Sequence, residues 1–211
     1  MTKRSETTRD ALIQAAAAAF AERGYPETRL EDVVARLEVS KGALYFHFPT
    51  KEALAAAVID THYAPWPELL TRLRPQYPDS LRLLLELSRQ IVDSYQREAG
   101  MRAGMRLMSE HTVGGPALPR PLDCWLTTCT RLLSEAREQG NLLPGVDTGR
   151  TARLILAAFT GLSLAHIPGA DRSDDDLAGE MTGLWLTLLP GLVPADRLAG
   201  LNAELTPARP S

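Results

Sequence analysis

Between Val39 and Lys51 the chain carries two lysines, a histidine, a tyrosine and two hydroxyl residues, and no acid. A run of this kind offers positive charge and hydrogen-bond donors to a polyanion, which is the chemistry of phosphate contact. Within it, Lys41 and Gly42 fall in the first turn of a short helix, the part that meets base edges when a helix points into a DNA groove. Gly42 costs about 1 kcal/mol of helix stability relative to alanine, a cost that close approach of the backbone to DNA explains. Ala43 and Leu44 face inward, while Tyr45, His47 and Lys51 are donors placed for phosphates. A solvated helix with incidental polar groups is the alternative that spacing alone leaves open.

No other run is as dense in chemistry. There is no GxSxG, Walker loop, Rossmann glycine pattern, HExxH or CxxC, so neither an enzyme, a cofactor nor a metal is expected. Asp174-Asp175-Asp176 reads as a helix start favoured by the helix dipole. Cys124 and Cys129 lie about 140° apart around a helix, which disfavours a local disulfide; both are expected to be buried thiols in a reducing compartment. The chain is mildly acidic, at −3, and residues 1–52 hold eight basic and eight acidic side chains, so the positive patch is local. No apolar run approaches the roughly 18 residues of a membrane span, and Met1-Thr2-Lys3-Arg4-Ser5 lacks the apolar stretch of a signal peptide. A cytoplasmic protein without a membrane partner is expected.

The elements that must hold the reading run are short helices. Leu12, Ala15, Ala16, Ala19 and Phe20 make one apolar stripe; Gly24 ends that helix and Pro26 cannot continue it. Thr28 with Glu31 reads as a capping box for a second helix, with Leu30, Val33, Val34 and Leu37 inward. Ser40 caps a third, from Lys41 to about Phe46, and after Pro49 Thr50 caps a fourth, carrying Leu54, Val58 and Ile59. Two short amphipathic helices separated by Glu38, Val39 and Ser40 form a helix-turn-helix. Further helices are predicted at 79–97, 101–111, 122–139 and 148–167 and after Ser173, with a loop at Gly114-Gly115-Pro116 and a turn at Gly140, Pro144 and Gly145. With no strand in prospect, the fold class is all-α: a helix-turn-helix domain at 1–52, a ligand-binding and dimerisation domain at 53–206, and a flexible tail at 207–211.

The stretch Val39-Ser40-Lys41-Gly42-Ala43-Leu44-Tyr45-Phe46-His47-Phe48-Pro49-Thr50-Lys51-Glu52-Ala53-Leu54, with the opening helix and Gly24-Tyr25, resembles the signature of TetR-family repressors. The resemblance implies that Lys41 and Gly42 lie against bases and that Thr28, Ser40, Tyr45, His47 and Lys51 hold phosphates. Relatives usually carry glycine in the turn where this chain has Glu38, whose charge would sit near DNA. His62-Tyr63-Ala64-Pro65-Trp66-Pro67, Arg102-Ala103-Gly104-Met105-Arg106-Leu107, and Leu118-Pro119-Arg120-Pro121 followed by Trp125 are similar to the γ-butyrolactone-receptor branch, the hormone-sensing repressors of antibiotic-producing bacteria. This implies a double-stranded operator as one partner and a lactone touching Trp125 as the other. A general drug sensor, or a pseudo-receptor answering to antibiotics or biosynthetic intermediates, is the alternative within the same fold.

In the sensor half, Trp125 offers a flat face and one N–H donor, or is plain core. Thr160 can bond a ligand or its own helix. Leu87, Ile91, Met105, Phe159 and Leu162 are candidate walls or ordinary core, and His62 is a polar candidate; His111 and His166 read as structural. Gly161, Gly179 and Gly183 permit close helix approach, and Leu184, Trp185 and Leu188 can fill a four-helix seam in a homodimer or bury within one subunit. A two-fold dimer sets its reading heads about 34–36 Å apart and calls for a palindromic operator.

Overall fold

Helical periodicity governs the chain as observed. The structure, a computed structural model, describes residues 3–37, 39–110, 118–119, 121–166 and 177–206, and among them there are α-helices, one 3-10 turn and no strand. The helices are α1 (Lys3–Glu27), α2 (Leu30–Val34), α3 (Lys41–His47), α4 (Lys51–Tyr63), α5 (Trp66–Leu73), α6 (Ser80–Arg97), α7 (Ala99–Glu110), α8 (Pro121–Glu138), α9 (Thr148–Ala165), α10 (Leu177–Leu188) and α11 (Ala195–Leu205). The four predicted long helices appear as α6 to α9, while α5 and α11 were not foreseen. Glu38, His111, the Gly114-Gly115-Pro116 loop, Ser173 with Asp174-Asp175-Asp176, and the 207–211 tail lie outside the described residues.

Two of the three expected caps form. The Ser40 and Thr50 hydroxyls accept the N–H groups of Ala43 and Ala53, each at 3.1 Å. The start of α2 is displaced by one residue: Arg29 is its N-cap, and the Asp32 carboxylate accepts the Arg29 N–H at 3.3 Å. Thr28 turns inward instead, 1% exposed, and donates its hydroxyl to the Gly24 carbonyl at 2.7 Å, with the Ala19 carbonyl at 3.2 Å.

The described residues divide between two compact units, one built from Met1–Trp66 and Ser94–Pro121, the other from Pro67–Asp93, Leu122–His166 and Arg172–Ser211. The first therefore extends past the sequence-expected boundary at 52: α4 and α7 join α1–α3. Packing explains the extension. Gly100 and Gly104, four residues apart on α7, face the His62 and Tyr63 rings of α4, and a Cβ on either glycine would collide with the ring. The Tyr63 hydroxyl donates to the Met101 carbonyl at 2.9 Å.

The end of α1 is tied to α7 more firmly still. Gly24 sits at φ 78° and ψ 177°, a backbone region essentially reserved for glycine. The carbonyls of Ala21 and Glu22, left without helical partners by that break, accept from the Arg106 guanidinium at 3.2 Å each. Arg106 pairs with Glu110 at 2.8 Å, and Glu110 in turn accepts the Tyr25 N–H at 2.6 Å.

In the second unit, α6, α8, α9 and α10 contribute a core of leucines together with Trp125, Phe159 and Trp185. Helix α8 ends in a glycine cap: Asn141 N–H bonds to Ala136 O and Gly140 N–H to Arg137 O, with Gly140 at φ 73°. Arg74 joins Glu135 by two bonds of 2.6 and 3.0 Å, and the Ser80 hydroxyl donates to the same carboxylate at 2.9 Å.

The two left-handed glycines yield a graded prediction. Gly140→Ala meets nothing within 4 Å, so only the backbone cost of about 1–2 kcal/mol applies. Gly24→Ala adds a collision with Glu110 and Arg106 to a backbone cost of about 1–3 kcal/mol. Gly24→Ala should lower the urea midpoint clearly more than Gly140→Ala; equal midpoints would contradict the close approach of α7.

Candidate DNA-reading face and ligand pocket

Helix α3 is anchored by one fully buried side chain and exposed along its outer face. Leu44 is fully buried, Ala43 and His47 are half-buried, and Lys41, Gly42 and Tyr45 are exposed. Ser40 accepts from the helix N-terminus, and the same hydroxyl carries a donor for a phosphate. Lys41 reaches Glu31 at 3.5 Å, but its side chain is 65% exposed, so the pair is worth little. Gly42 has an ordinary helical backbone, and a Cβ there would meet only the Ser40 Oγ at 3.8 Å. Nothing inside the protein requires that glycine.

Lys51 is held more tightly. Its ammonium lies 4.2 Å from the centre of the Tyr25 ring and donates to the Pro26 carbonyl at 3.4 Å. Burial lowers its pKa below the ordinary lysine value. The Tyr25 hydroxyl donates to Glu52 at 2.6 Å, and burial followed by that bond raises the phenol's pKa. The start of α4 is thus fixed against the end of α1, with Lys51 at the join. Of the seven expected DNA residues, Ser40, Lys41, Gly42, Tyr45, His47 and Lys51 cluster on α3 and at the start of α4. Thr28 is the correction: buried and bonded to two carbonyls, its hydroxyl is withdrawn from any phosphate. Sequence reasoning passed over Phe46, which is 79% exposed; its place four residues after Gly42 was the available signal.

The second unit carries a small, partly open pocket lined by Ser88 and Ile91 of α6, Trp125 of α8, Ile155 and Phe159 of α9, and Met181 of α10. It leaves room for about one water molecule. Trp125, Ile91 and Phe159 were expected here. Ser88, the polar group among the lining residues, was not; its hydroxyl donates to the Leu84 carbonyl at 2.8 Å. The other expected wall residues lie elsewhere. His62 and Met105 belong to the first unit, where the His62 Nδ1 is 3.3 Å from Glu98 and Met105 is core. Leu87 is core of the second unit, and Thr160 and Leu162 are half-buried and not among the lining residues. His166 is buried, its Nδ1 2.8 Å from the Leu162 carbonyl.

The late helices divide their expected seam. Gly161, Gly179 and Gly183 are exposed, Leu184 and Leu188 half-exposed, and Leu154 is 57% exposed. Trp185 is 1% exposed and fills its own subunit's core, so it cannot be part of a seam. The reason is rotation: Trp185 continues the i, i+4 line of the buried Leu177 and Met181, and Leu184 and Leu188 fall beside that line. Cys129 is buried, which pushes its thiol up to about 12, whereas Cys124 is exposed, contrary to expectation. Among the described residues no group of three or more His, Cys, Asp or Glu side chains is placed to hold a metal, and no helix is long and apolar enough to cross a membrane.

A capped reading helix with an acid-free outer face, on a chain that also carries a tryptophan-lined pocket, defines the class of helix-turn-helix regulators with a sensor. Residues 12–58 match the bacterial regulatory proteins, tetR family. The A-factor receptor protein of Streptomyces griseus is 31% identical over 202 residues, covering 95% of this chain and 69% of the receptor. The structure of CprB from Streptomyces coelicolor in complex with its operator superposes with a TM-score of 0.85 at 30% identity, covering 98% of this chain and all of that one. A γ-butyrolactone receptor, an ArpA-like protein, superposes with a TM-score of 0.81 at 29% identity, covering 97% and 96%. The chain belongs to the TetR family of bacterial regulatory proteins, in the branch that holds the A-factor and γ-butyrolactone receptors. These relatives are DNA-binding regulators.

Lys41→Ala should relax sequence preference, costing about 1–3 kcal/mol on the preferred duplex and little on random DNA. Binding measured across a library of duplexes checks this; uniform weakening would reduce Lys41 to a phosphate contact.

Proposed function

We propose that this protein is a ligand-responsive transcriptional repressor. As a homodimer it holds a palindromic operator with two α3 helices, and it lets go when a γ-butyrolactone-type molecule enters the pocket beside Trp125. The genes it controls serve antibiotic or other secondary-metabolite synthesis. It acts in the cytoplasm and catalyses no reaction. The observation that carries this reading is the pairing of an exposed, capped reading helix with a small apolar pocket, lined by one tryptophan and one hydroxyl and with room for about one water, on one chain. The exposed glycines and leucines of α9 and α10 supply the dimer seam.

A lactone is far larger than one water, so its entry must push the lining apart. Ser88 and Ile91 lie on α6, which runs on to Arg97 and through Glu98 into α7. Helix α7 in turn carries Arg106 and Glu110, the residues that hold the end of α1. A shift of α6 is thereby handed along the chain to the reading head. Helix α4, by contrast, lies wholly in the first unit. Such coupling is ordinarily about 1–3 kcal/mol, and ligand must bind the released form more tightly by that amount.

The test uses a duplex selected by the protein from a random DNA pool. Binding should fall steeply with salt, and a γ-butyrolactone should release the duplex. Trp125→Ala should need at least about tenfold more lactone for release, equivalent to ~1.4 kcal/mol, with unchanged affinity for the duplex. Independent binding of lactone and duplex in calorimetry would overturn the repressor mechanism. An unchanged lactone response of Trp125→Ala would remove Trp125 from the pocket chemistry.

A further inference from the structure

Helical geometry sorts the seven residues of α3 by direction. At about 100° per residue, Leu44 fixes the inward direction, being fully buried. The side chains opposite to it are then Gly42 and Phe46, about 40° apart and both on the outermost line of the helix. Exposure agrees: both are exposed, and Phe46, at 79%, is the most exposed large apolar side chain among the described residues. Lys41 and Tyr45 flank this line on one side, Ala43 and His47 on the other. The His47 ring meets the Phe46 ring edge-on, with centroids 5.2 Å apart and planes at 81°, which orients the phenyl group.

The polar side chains of the reading helix therefore sit on its flanks, Lys41 at the first turn beside base edges and Tyr45 and His47 towards phosphates, while its centre line carries no hydrogen-bonding side chain. A helix entering the major groove along that line presents bare backbone at Gly42 and an apolar ring at Phe46. Of the groups displayed in that groove, one is apolar: the C5-methyl of thymine. Resting on the DNA-binding reading above, we propose that Phe46 is a base-reading residue that packs against a thymine methyl in each half-site. Gly42 fits the same arrangement, because its missing side chain lets the helix sink until the ring reaches the base, and nothing within the protein asks for glycine there.

The experiment pairs one protein change with one DNA change. Thymines of the selected duplex are replaced one symmetric pair at a time by deoxyuridine, which removes only the methyl group. Wild type and Phe46→Ala are titrated with each duplex. With Phe46 this exposed, the substitution leaves the fold intact, and circular dichroism and thermal midpoint verify it. At one thymine pair, wild type should lose about fourfold per half-site and about fifteenfold for both, the effect of one buried methyl each. Phe46→Ala should bind the thymine duplex about as weakly and should be indifferent to deoxyuridine at that pair. The inference is overturned if Phe46→Ala binds like wild type, or if it weakens binding while every deoxyuridine effect persists, which would place the ring on sugar or phosphate. Failure to select any duplex would instead sink the DNA-binding reading itself.

Discussion

The carbonyls of Ala21 and Glu22 point out of the last turn of α1 with no helical partner, because Gly24 turns the chain into a conformation no helix contains. Everything else in the first unit depends on how those groups are satisfied. Water could do it, and the head would then be a loosely tethered three-helix piece. Arg106 does it instead, with hydrogen bonds from a charged donor worth on the order of 1.5–3 kcal/mol. Glu110 neutralises that donor and takes the Tyr25 N–H. Tyr25, so oriented, bonds Glu52 through its hydroxyl and receives the Lys51 ammonium on its ring. One break in α1 is thereby converted into a rigid junction of α1, α4 and α7.

That junction explains why the reading head does not end where the helix-turn-helix ends. Gly100 and Gly104 bring α7 against the rings of α4, and the arginine–glutamate pair holds its far end on α1. Bare backbone at one end of α7 and side chains at the other thus hold α4 and α1. A displacement of α7 along its axis would strain both attachments together, so it would carry the head with it rather than slide past.

Local interactions were legible in the sequence and rotational ones were not. Ser40 and Thr50 cap their helices because a hydroxyl reaching an N–H three residues on needs no other part of the protein. Thr28 has the same spacing to a glutamate, yet its hydroxyl finds the carbonyls at Gly24 and Ala19 closer, and Asp32 takes over the cap. The pattern was present and a tertiary competitor won. Trp185 was misplaced for a different reason: it shares the i, i+4 line of Leu177 and Met181, which turns into its own subunit's core, while Leu184 and Leu188 lie beside that line. Trp125, Ile91 and Phe159 do share a pocket, but the sequence could not add Ser88 or Met181, nor exclude His62 and Met105, because apolar character does not reveal which unit a helix joins. Helix α11 lies within the expected 53–206 domain but was not placed as an element; it follows Pro194, and its Leu201 is buried.

If the ligand enters the small pocket beside Trp125, as proposed, its tight lining also sets the size of the signal the protein can send. Opening it costs packing that the ligand must return before any binding energy remains for the switch, so coupling near the upper end of the usual 1–3 kcal/mol is the most one site can supply. Swinging an equilibrium from 1:99 to 99:1 takes about 5.5 kcal/mol. One site cannot reach that figure, but two sites acting on the same head spacing can, at about 2.7 kcal/mol each. The dimer is then required twice, once to place two reading helices on one face of DNA and once to add two modest ligand effects into a decisive one. An isolated subunit with the same pocket would feel its ligand and barely change its hold on DNA.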